Sequence, residues 1–215
     1  MEKWRHRCCG FTPATVLSLA ALLFAVSFGW QLPPEYGTEN GPLEFFQVGI
    51  FVVTAVVAVS ALWQTKLSPD RRRLFALTSV VWLMCAAREL SWGRVFYAVG
   101  PDKIPPLKTL WFGPYVYPVI AVILLSAGTY FLATGLHKEL WRWLKQENLP
   151  ALDFCLFVVF LVLADLFEHH SHGLLGAKNE LFEELAELIS YVSCLSFMIN
   201  VIYNKRFRAN QEPPT

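Results

Sequence analysis

The length of the apolar segments constrains this chain most strongly. Six of them reach the roughly 17–25 residues that a helix needs to cross a bilayer. They lie at about 13–30, 43–64, 74–93, 115–135, 151–170 and 183–203. The chain of 215 residues is 55% hydrophobic and only 16% charged, which is too apolar for an ordinary soluble domain. The sequence therefore predicts an all-α bundle of six transmembrane helices, folded as a single membrane domain over 1–215.

The connections between these segments are short or rich in proline and glycine. They read "QLPPEYGTENGP", "KLSPDRRR", "VGPDKIPPLKTLWFGP" and "HKELWRWLKQENLP". Proline at such positions ends or starts a helix at little cost, so we expect loops there. The first apolar segment also fits a signal peptide, with a basic start and a cleavage site near Ala25, and its removal would leave five spans.

The basic residues predict an orientation. Of the 18 lysines and arginines, 13 lie before the first span or after spans two, four and six. Loops rich in Lys and Arg stay in the cytoplasm, so both termini are expected inside a multi-pass protein of a bacterial cytoplasmic (inner) membrane. The basic residues are scattered, without stacking aromatics or a glycine-rich phosphate loop, which excludes nucleic acid as a partner. Membrane lipids are the expected partners, and a membrane protein partner or a homo-oligomer is left open.

The carboxylates concentrate at the opposite, outer side. Eleven of the 17 are expected there: Glu35, Glu39, Glu44, Glu89, Asp102, Asp165, Glu168, Glu180, Glu183, Glu184 and Glu187. An ionisable residue within a span costs on the order of 2.5–3.5 kcal/mol at the helix centre. Glu89, Asp165 and Glu187 are therefore predicted to point into the bundle, near Glu44 and Arg88.

Two polar helix faces follow each other at this side, in 165–172 and 180–187. Each repeats the spacing i, i+3, i+4, i+7, first as Asp165, Glu168, His169 and His172 and then as Glu180, Glu183, Glu184 and Glu187. Facing each other, carboxylates and imidazoles of this kind bind Zn, Mn or Fe in helix bundles. We predict a divalent metal with the ligands Asp165, His169, His172 and Glu187.

Several other residues at this level are candidates for the same site. Glu89 or Glu168 is the predicted general base, and Arg88 is predicted either to anchor an anionic headgroup or to form a structural ion pair. Glu44, Gln47 and Glu184 complete the predicted polar cluster. Three other interpretations stay open: a solvated helix end, a proton relay or pH-sensitive salt-bridge cluster, and acidic residues that favour a helix N-terminus.

Two stretches resemble the signatures of a family of uncharacterised bacterial membrane proteins. "TENGPLEFFQ" (38–47) is similar to E-D-G-x-x-E-[WF]-x-Q, and "ARELSWGR" (87–94) is similar to E-E-x-S-W-G-Q-R. The chain departs from the pattern at Asn40, Arg88 and Arg94. "EELAELIS" (183–190) resembles the acidic last span of that family. The resemblance implies a multi-span membrane protein with a site on the outer face and implies no particular reaction.

Three functions fit these observations. The first is a metal-dependent membrane enzyme that acts on a lipid or lipid-linked substrate. The second is a small proton-linked or metal-ion transporter, which would need polar residues along a path through the membrane. The inner halves of the spans are nearly free of charge, which disfavours this function. The third is an assembly or accessory subunit without turnover.

Overall fold

The fold consists of helices. The computed structural model describes residues 11–38, 40–98, 104–146, 149–170 and 176–204, and it contains no β-strand within these ranges. The α-helices are α1 (Thr15–Phe28), α2 (Pro42–Ser60), α3 (Pro69–Glu89), α4 (Gly113–Ala133), α5 (Leu136–Gln146), α6 (Ala151–His170) and α7 (Asn179–Tyr203). Short 3-10 turns lie at Pro34–Gly37, Ala61–Trp63, Ser91–Tyr97, Leu107–Thr109 and Gly176–Lys178. The all-α prediction is confirmed.

Six of the seven helices coincide with the predicted spans. Among the described residues, four helical stretches are long and apolar enough to cross a membrane: Pro34–Trp63, Pro69–Tyr97, Gly113–Ala133 and Asn179–Tyr203. α1 is apolar but has only 14 residues. α6 has 20 residues and carries three carboxylates, at Asp153, Asp165 and Glu168. Six spans and their orientation therefore remain a prediction.

The connection "HKELWRWLKQENLP" differs from the expected loop because most of it forms α5. Leu136, Leu140 and Trp143 recur at helical spacing and make one apolar face. Leu136 and Trp143 are buried, and the Trp143 ring packs edge-on against Phe75 of α3. Arg142, on the other face, stays exposed. α5 is thus an amphipathic helix that lies against one end of the bundle.

A buried ion pair holds α5 in place. Arg71 in the first turns of α3 and Glu139 of α5 are each 5% exposed, and Arg71 Nε lies 3.3 Å from Glu139 Oε1. Arg142 also pairs with the Glu139 carboxylate, on its other oxygen. The charge of Glu139 is therefore compensated where α5 meets the bundle.

α7 is the central helix. It packs against α6, α2 and α1, and it is buried along most of its length. Leu181 and Ile189 belong to an apolar cluster near its start, and Met198 and Ile202 belong to a second cluster near its end. By contrast, α4 buries only Gly113 and turns apolar side chains outward all round, as expected of a helix that faces lipid.

One buried carboxylate ties three helices together. Asp153 in the first turn of α6 is 1% exposed. From α1 it accepts hydrogen bonds from Thr15 Oγ1 at 2.9 Å and Ser18 Oγ at 2.7 Å. From α7 it accepts them from Ser196 Oγ and Asn200 Nδ2, each at 2.9 Å. All four donors are neutral, so hydrogen bonds alone stabilise this carboxylate.

Replacing Asp153 with alanine is expected to destabilise the bundle strongly. The substitution removes the acceptor of four donors, and each buried donor without an acceptor is costly. We predict a loss of at least about 3 kcal/mol in the free energy of unfolding, measured in mixed micelles. The control is Asp70→Ala, because the Asp70 side chain is 57% exposed beside Arg73. An equal effect of the two substitutions would contradict the role given to the buried network.

Candidate functional site

An acidic cavity lies at the end of the bundle where α2 and α7 begin and α3 and α6 end. Its volume is about 490 Å³. It is lined by seven glutamates and one arginine, together with Gly37 and Thr38. The charged residues are Glu44, Arg88, Glu89, Glu168, Glu180, Glu183, Glu184 and Glu187. We call this the acidic cavity. It brings together side chains from four helices that are far apart in the sequence.

One wall of the cavity is the connection between α1 and α2, which passes very close to α7. A Cβ atom built on Gly37 would lie 2.3 Å from the Cα of Leu181 and 2.5 Å from its backbone nitrogen. Only glycine fits this contact. Further along the connection, the Asn40 backbone N–H donates to Glu44 Oε2 at 2.6 Å. These contacts hold Thr38 and Glu44 at the mouth of the cavity.

The predicted polar residues of α2 and α7 meet on one side of the cavity. Gln47 is fully buried, and its Nε2 donates to Glu184 Oε2 at 2.7 Å and to the Glu184 carbonyl at 3.1 Å. Gln47 Oε1 accepts no hydrogen bond from a described residue. The sequence placed Gln47 and Glu184 in the polar cluster, and the structure puts them in direct contact.

Tyr191 is the part of this network that sequence reasoning missed. Its side chain is largely buried, and it lies close to the carboxylate of Glu187, one turn earlier on α7. The Glu89 carboxylate at the end of α3 also lies near Tyr191. Arg88 lies close enough to Glu89 and Glu187 to interact with both carboxylates. The i, i+4 spacing of Glu187 and Tyr191 places both side chains on one face of α7 and could have indicated this contact. A tyrosine within an apolar segment is, however, usually interpreted as a residue of the hydrophobic core.

A second acidic group lies on the last turns of α6. Asp165, Glu168 and His169 each offer a ligand atom, and these atoms lie within 4.8 Å of one another. His169 Nδ1 is 3.5 Å from both Asp165 Oδ1 and Glu168 Oε2, and all three side chains are exposed. Glu168 also lines the acidic cavity, whereas Asp165 and His169 do not. Glu168 is therefore the residue shared by the exposed group and the cavity.

The predicted metal ligands are thus divided between two neighbouring places. Glu187 lines the cavity, and Asp165 and His169 belong to the exposed group. The Asp165 side chain is 68% exposed, so the prediction that it points into the bundle is wrong. His172 lies outside the described residues, as do Glu39 and Asp102 from the predicted outer set. Arg88, Glu89 and Glu168, predicted as catalytic residues, all line the cavity.

The cavity holds far more negative than positive groups. Arg88 is the one cationic side chain among its described lining residues, against seven carboxylates. Carboxylates gathered in a partly buried space repel one another unless a cation or protons compensate them. Clusters of carboxylate oxygens with a nearby imidazole are donor sets that suit divalent cations, including Mn, Fe and Zn. Among the described residues, the three that bring ligand atoms within reach of one ion are Asp165, Glu168 and His169, of which Glu168 lines the cavity.

A left-handed turn follows the two cavity residues of α3. Ser91, Trp92 and Gly93 have φ values of 48°, 58° and 85°. Two of these residues carry a Cβ atom, and the left-handed region costs such residues roughly 1–2 kcal/mol each. Strain of this kind persists where the surrounding structure imposes it, and it is concentrated at functional sites. The turn ends α3 directly after Arg88 and Glu89.

Substituting Ser91 with glycine is expected to stabilise the protein. Glycine adopts a positive φ without the steric cost, so the free energy of unfolding should rise by about 1 kcal/mol. The matched substitution Ser190→Gly lies inside α7, where the Ser190 hydroxyl donates to the Phe157 carbonyl. That control should lose about 1 kcal/mol. Thermal unfolding of both variants in detergent tests this, and destabilisation by Ser91→Gly would show that the turn is not strained.

Comparison of the chain with models of known protein families, with curated proteins and with solved structures gave no match. The resemblance to the family with the two glutamate-rich signatures therefore stays a prediction. The evidence for the function of this chain comes from the geometry of its acidic cavity and of the helices that form it.

Proposed function

We infer that this chain is an integral membrane protein that binds a divalent cation in the acidic cavity and acts there on a lipid or lipid-linked substrate. One observation carries the proposal: seven glutamates and one arginine from α2, α3, α6 and α7 line a single cavity at one end of an apolar bundle. Carboxylates are costly in such a bundle, so their convergence calls for compensation by protons or by a cation, and we propose a cation.

The cation is proposed to lie between the last turns of α6 and the first turns of α7. Glu168 belongs both to the cavity and to the exposed group with Asp165 and His169, and Glu183 interacts with Glu168, Glu187 and His169. A cation at this place would be held by Glu168 and Glu187, with Asp165 and His169 at the rim. His172 is a further proposed ligand from the sequence.

The remaining charged groups suit a reaction at a phosphate or an ester. A bound divalent cation supplies Lewis-acid polarisation of an oxygen and lowers the pKa of bound water. Arg88 offers guanidinium donors that match an anionic headgroup. Glu89 lines the same cavity as Arg88 and is the proposed general base. Arg88 and Glu89 line this cavity together with the proposed ligand Glu187.

Binding of Mn²⁺ to single-site variants tests the cation site. We expect Mn²⁺ to raise the melting temperature of the wild-type protein. Glu187→Gln and Glu168→Gln should each weaken binding by about tenfold or more, since each removes a charged ligand. His169→Ala should weaken it as well. Titration calorimetry in detergent measures the affinity.

The control variant is Glu35→Gln, because Glu35 is an exposed carboxylate at the same end and does not line the cavity. It should bind Mn²⁺ like the wild-type protein. A melting temperature that Mn²⁺, Zn²⁺ and Fe²⁺ all leave unchanged would defeat the cation site. An equal loss of Mn²⁺ affinity in all four variants would show that Mn²⁺ is attracted only by the overall negative charge of the surface.

A proton-linked or metal-ion transporter is the second candidate, and Asp153 favours it. The sequence indicated that the inner halves of the spans are nearly free of charge, yet Asp153 is buried there between α1, α6 and α7. Ser193, also fully buried, lies on α7 between this network and the acidic cavity, and its hydroxyl makes no hydrogen bond with a described residue. Cation uptake into proteoliposomes by the wild-type protein, without turnover of a lipid substrate, would favour transport over catalysis.

The proposed orientation places the acidic cavity outside the cytoplasm. In a cysteine-free background, Glu35→Cys should react with an impermeant maleimide on intact bacterial cells. Lys138→Cys, at the exposed start of α5, should react only after permeabilisation. The reverse pattern would place the cavity in the cytoplasm and contradict both the N-in, C-in topology and an outer-leaflet substrate.

A further inference from the structure

An apolar groove runs along α3, α6 and α7, three of the four helices that form the acidic cavity. Its volume is about 380 Å³, and it lies between α3 and α6, above the surface of α7. Its walls include Thr78, Val81, Phe154, Phe157, Cys194 and Met198. Leu140 and Trp143 of α5 close its far end. We call this the apolar groove.

The groove and the cavity lie on the same helix faces. On α3, Leu74 and Val81 line the groove, and Arg88, seven residues further on, lines the cavity. On α7, Cys194 of the groove follows Glu187 of the cavity by seven residues. Residues seven apart on a helix share a face.

α6 shows the same relation over twice that distance. Phe154 lines the groove and Glu168, fourteen residues later, lines the cavity. α3 packs along α2, and α6 packs along α7, so the opening lies between these two pairs of helices. The apolar groove and the acidic cavity therefore follow each other along the same helices, and we call the two together the slot.

The slot is long enough to hold one hydrocarbon chain of a membrane leaflet. From Leu74 to Arg88 the rise along α3 is about 21 Å, at 1.5 Å per residue. Half of the hydrocarbon core of a bilayer is about 15 Å. Val81 is 50% exposed and Phe154 is 47% exposed, so the groove is open at its side. A chain can therefore enter from the surrounding lipid without leaving the membrane.

The head of such a lipid would reach the cavity. Arg88 is at the cavity end of the shared α3 face, and its guanidinium pairs with phosphate in a fixed geometry. The seven carboxylates repel a phosphate unless a cation compensates them, and the proposed divalent cation would bridge the two. An uncharged or purely hydrocarbon ligand would leave Arg88 and the cation unused.

We propose that the slot binds one acyl chain of a phosphate-bearing lipid, with the chain in the apolar groove and the phosphate at Arg88 and the cation in the acidic cavity. This inference rests on the proposed function and names its substrate class. In this proposal the apolar groove binds the acyl chain, and the acidic cavity selects the headgroup.

Photolabelling with a lipid probe tests the groove. The full chain in nanodiscs is exposed to photoactivatable palmitoyl phosphatidate in the presence of Mn²⁺. Val81→Trp fills the groove and should reduce labelling of α3, α6 and α7 by about tenfold, while Mn²⁺ affinity stays unchanged. The control is Leu83→Trp on the same helix, since Leu83 is 52% exposed and lines neither the groove nor the cavity. It should be labelled like the wild-type protein.

A second probe separates the headgroup from the chain. The matching photoactivatable diacylglycerol lacks phosphate and should label the groove more weakly, as should phosphatidate when Mn²⁺ is removed by a chelator. Equal labelling of Val81→Trp and Leu83→Trp, or equal labelling by the two probes, would overturn the inference. A wild-type protein that binds no Mn²⁺ but is still labelled in a Val81→Trp-sensitive and phosphate-dependent way would reject the cation while supporting the lipid slot.

Discussion

Carboxylates inside an apolar helix bundle need groups that compensate their negative charge. The packing of the helices in this protein depends on which groups do so. A charge within a membrane-spanning helix is tolerated only when it faces the bundle interior and has a partner there. This requirement is met differently at the two ends of the helix bundle. At one end, Asp153 is surrounded by hydroxyl and amide donors, and Glu139 pairs with Arg71 and Arg142. These groups are satisfied by the protein itself, so they serve to fix α1, α5, α6 and α7 relative to one another.

The acidic cavity is not balanced in the same way. Tyr191, Gln47 and the backbone of Asn40 each contact one or two of its glutamates, and Arg88 is the one cation among its described lining residues. The seven glutamates still outnumber the positive side chains among the described lining residues. The strained turn that ends α3 beside this cavity adds a second cost at the same place. Costs that recur at one site are most simply explained by a ligand that the site is built to receive.

Much of the site was predictable from the sequence because its residues repeat at helical spacing. The i, i+3, i+4, i+7 patterns placed Glu168 and Glu187 on facing helices, and the cost of burying charge brought Glu44, Arg88 and Glu89 to the same level. The predictions missed contacts that the spacing of residues along a helix does not determine. The contacts of Tyr191 and Asp153 depend on which helices pack together, and both residues lie in apolar runs. α5 was expected to be a loop because its charged residues and the Pro150 that follows outweighed its apolar face.

The position of a bound Mn²⁺ ion is the decisive measurement, since the proposed cation site is one place in the structure. Crystals of the full chain grown with Mn²⁺, with anomalous scattering recorded at the manganese edge, would give that position. We predict an anomalous peak between the last turns of α6 and the first turns of α7, with carboxylate oxygens of Glu168 and Glu187 among its ligands. An acidic cavity without a peak, in crystals whose anomalous map shows Mn²⁺ bound elsewhere on the protein, would contradict it.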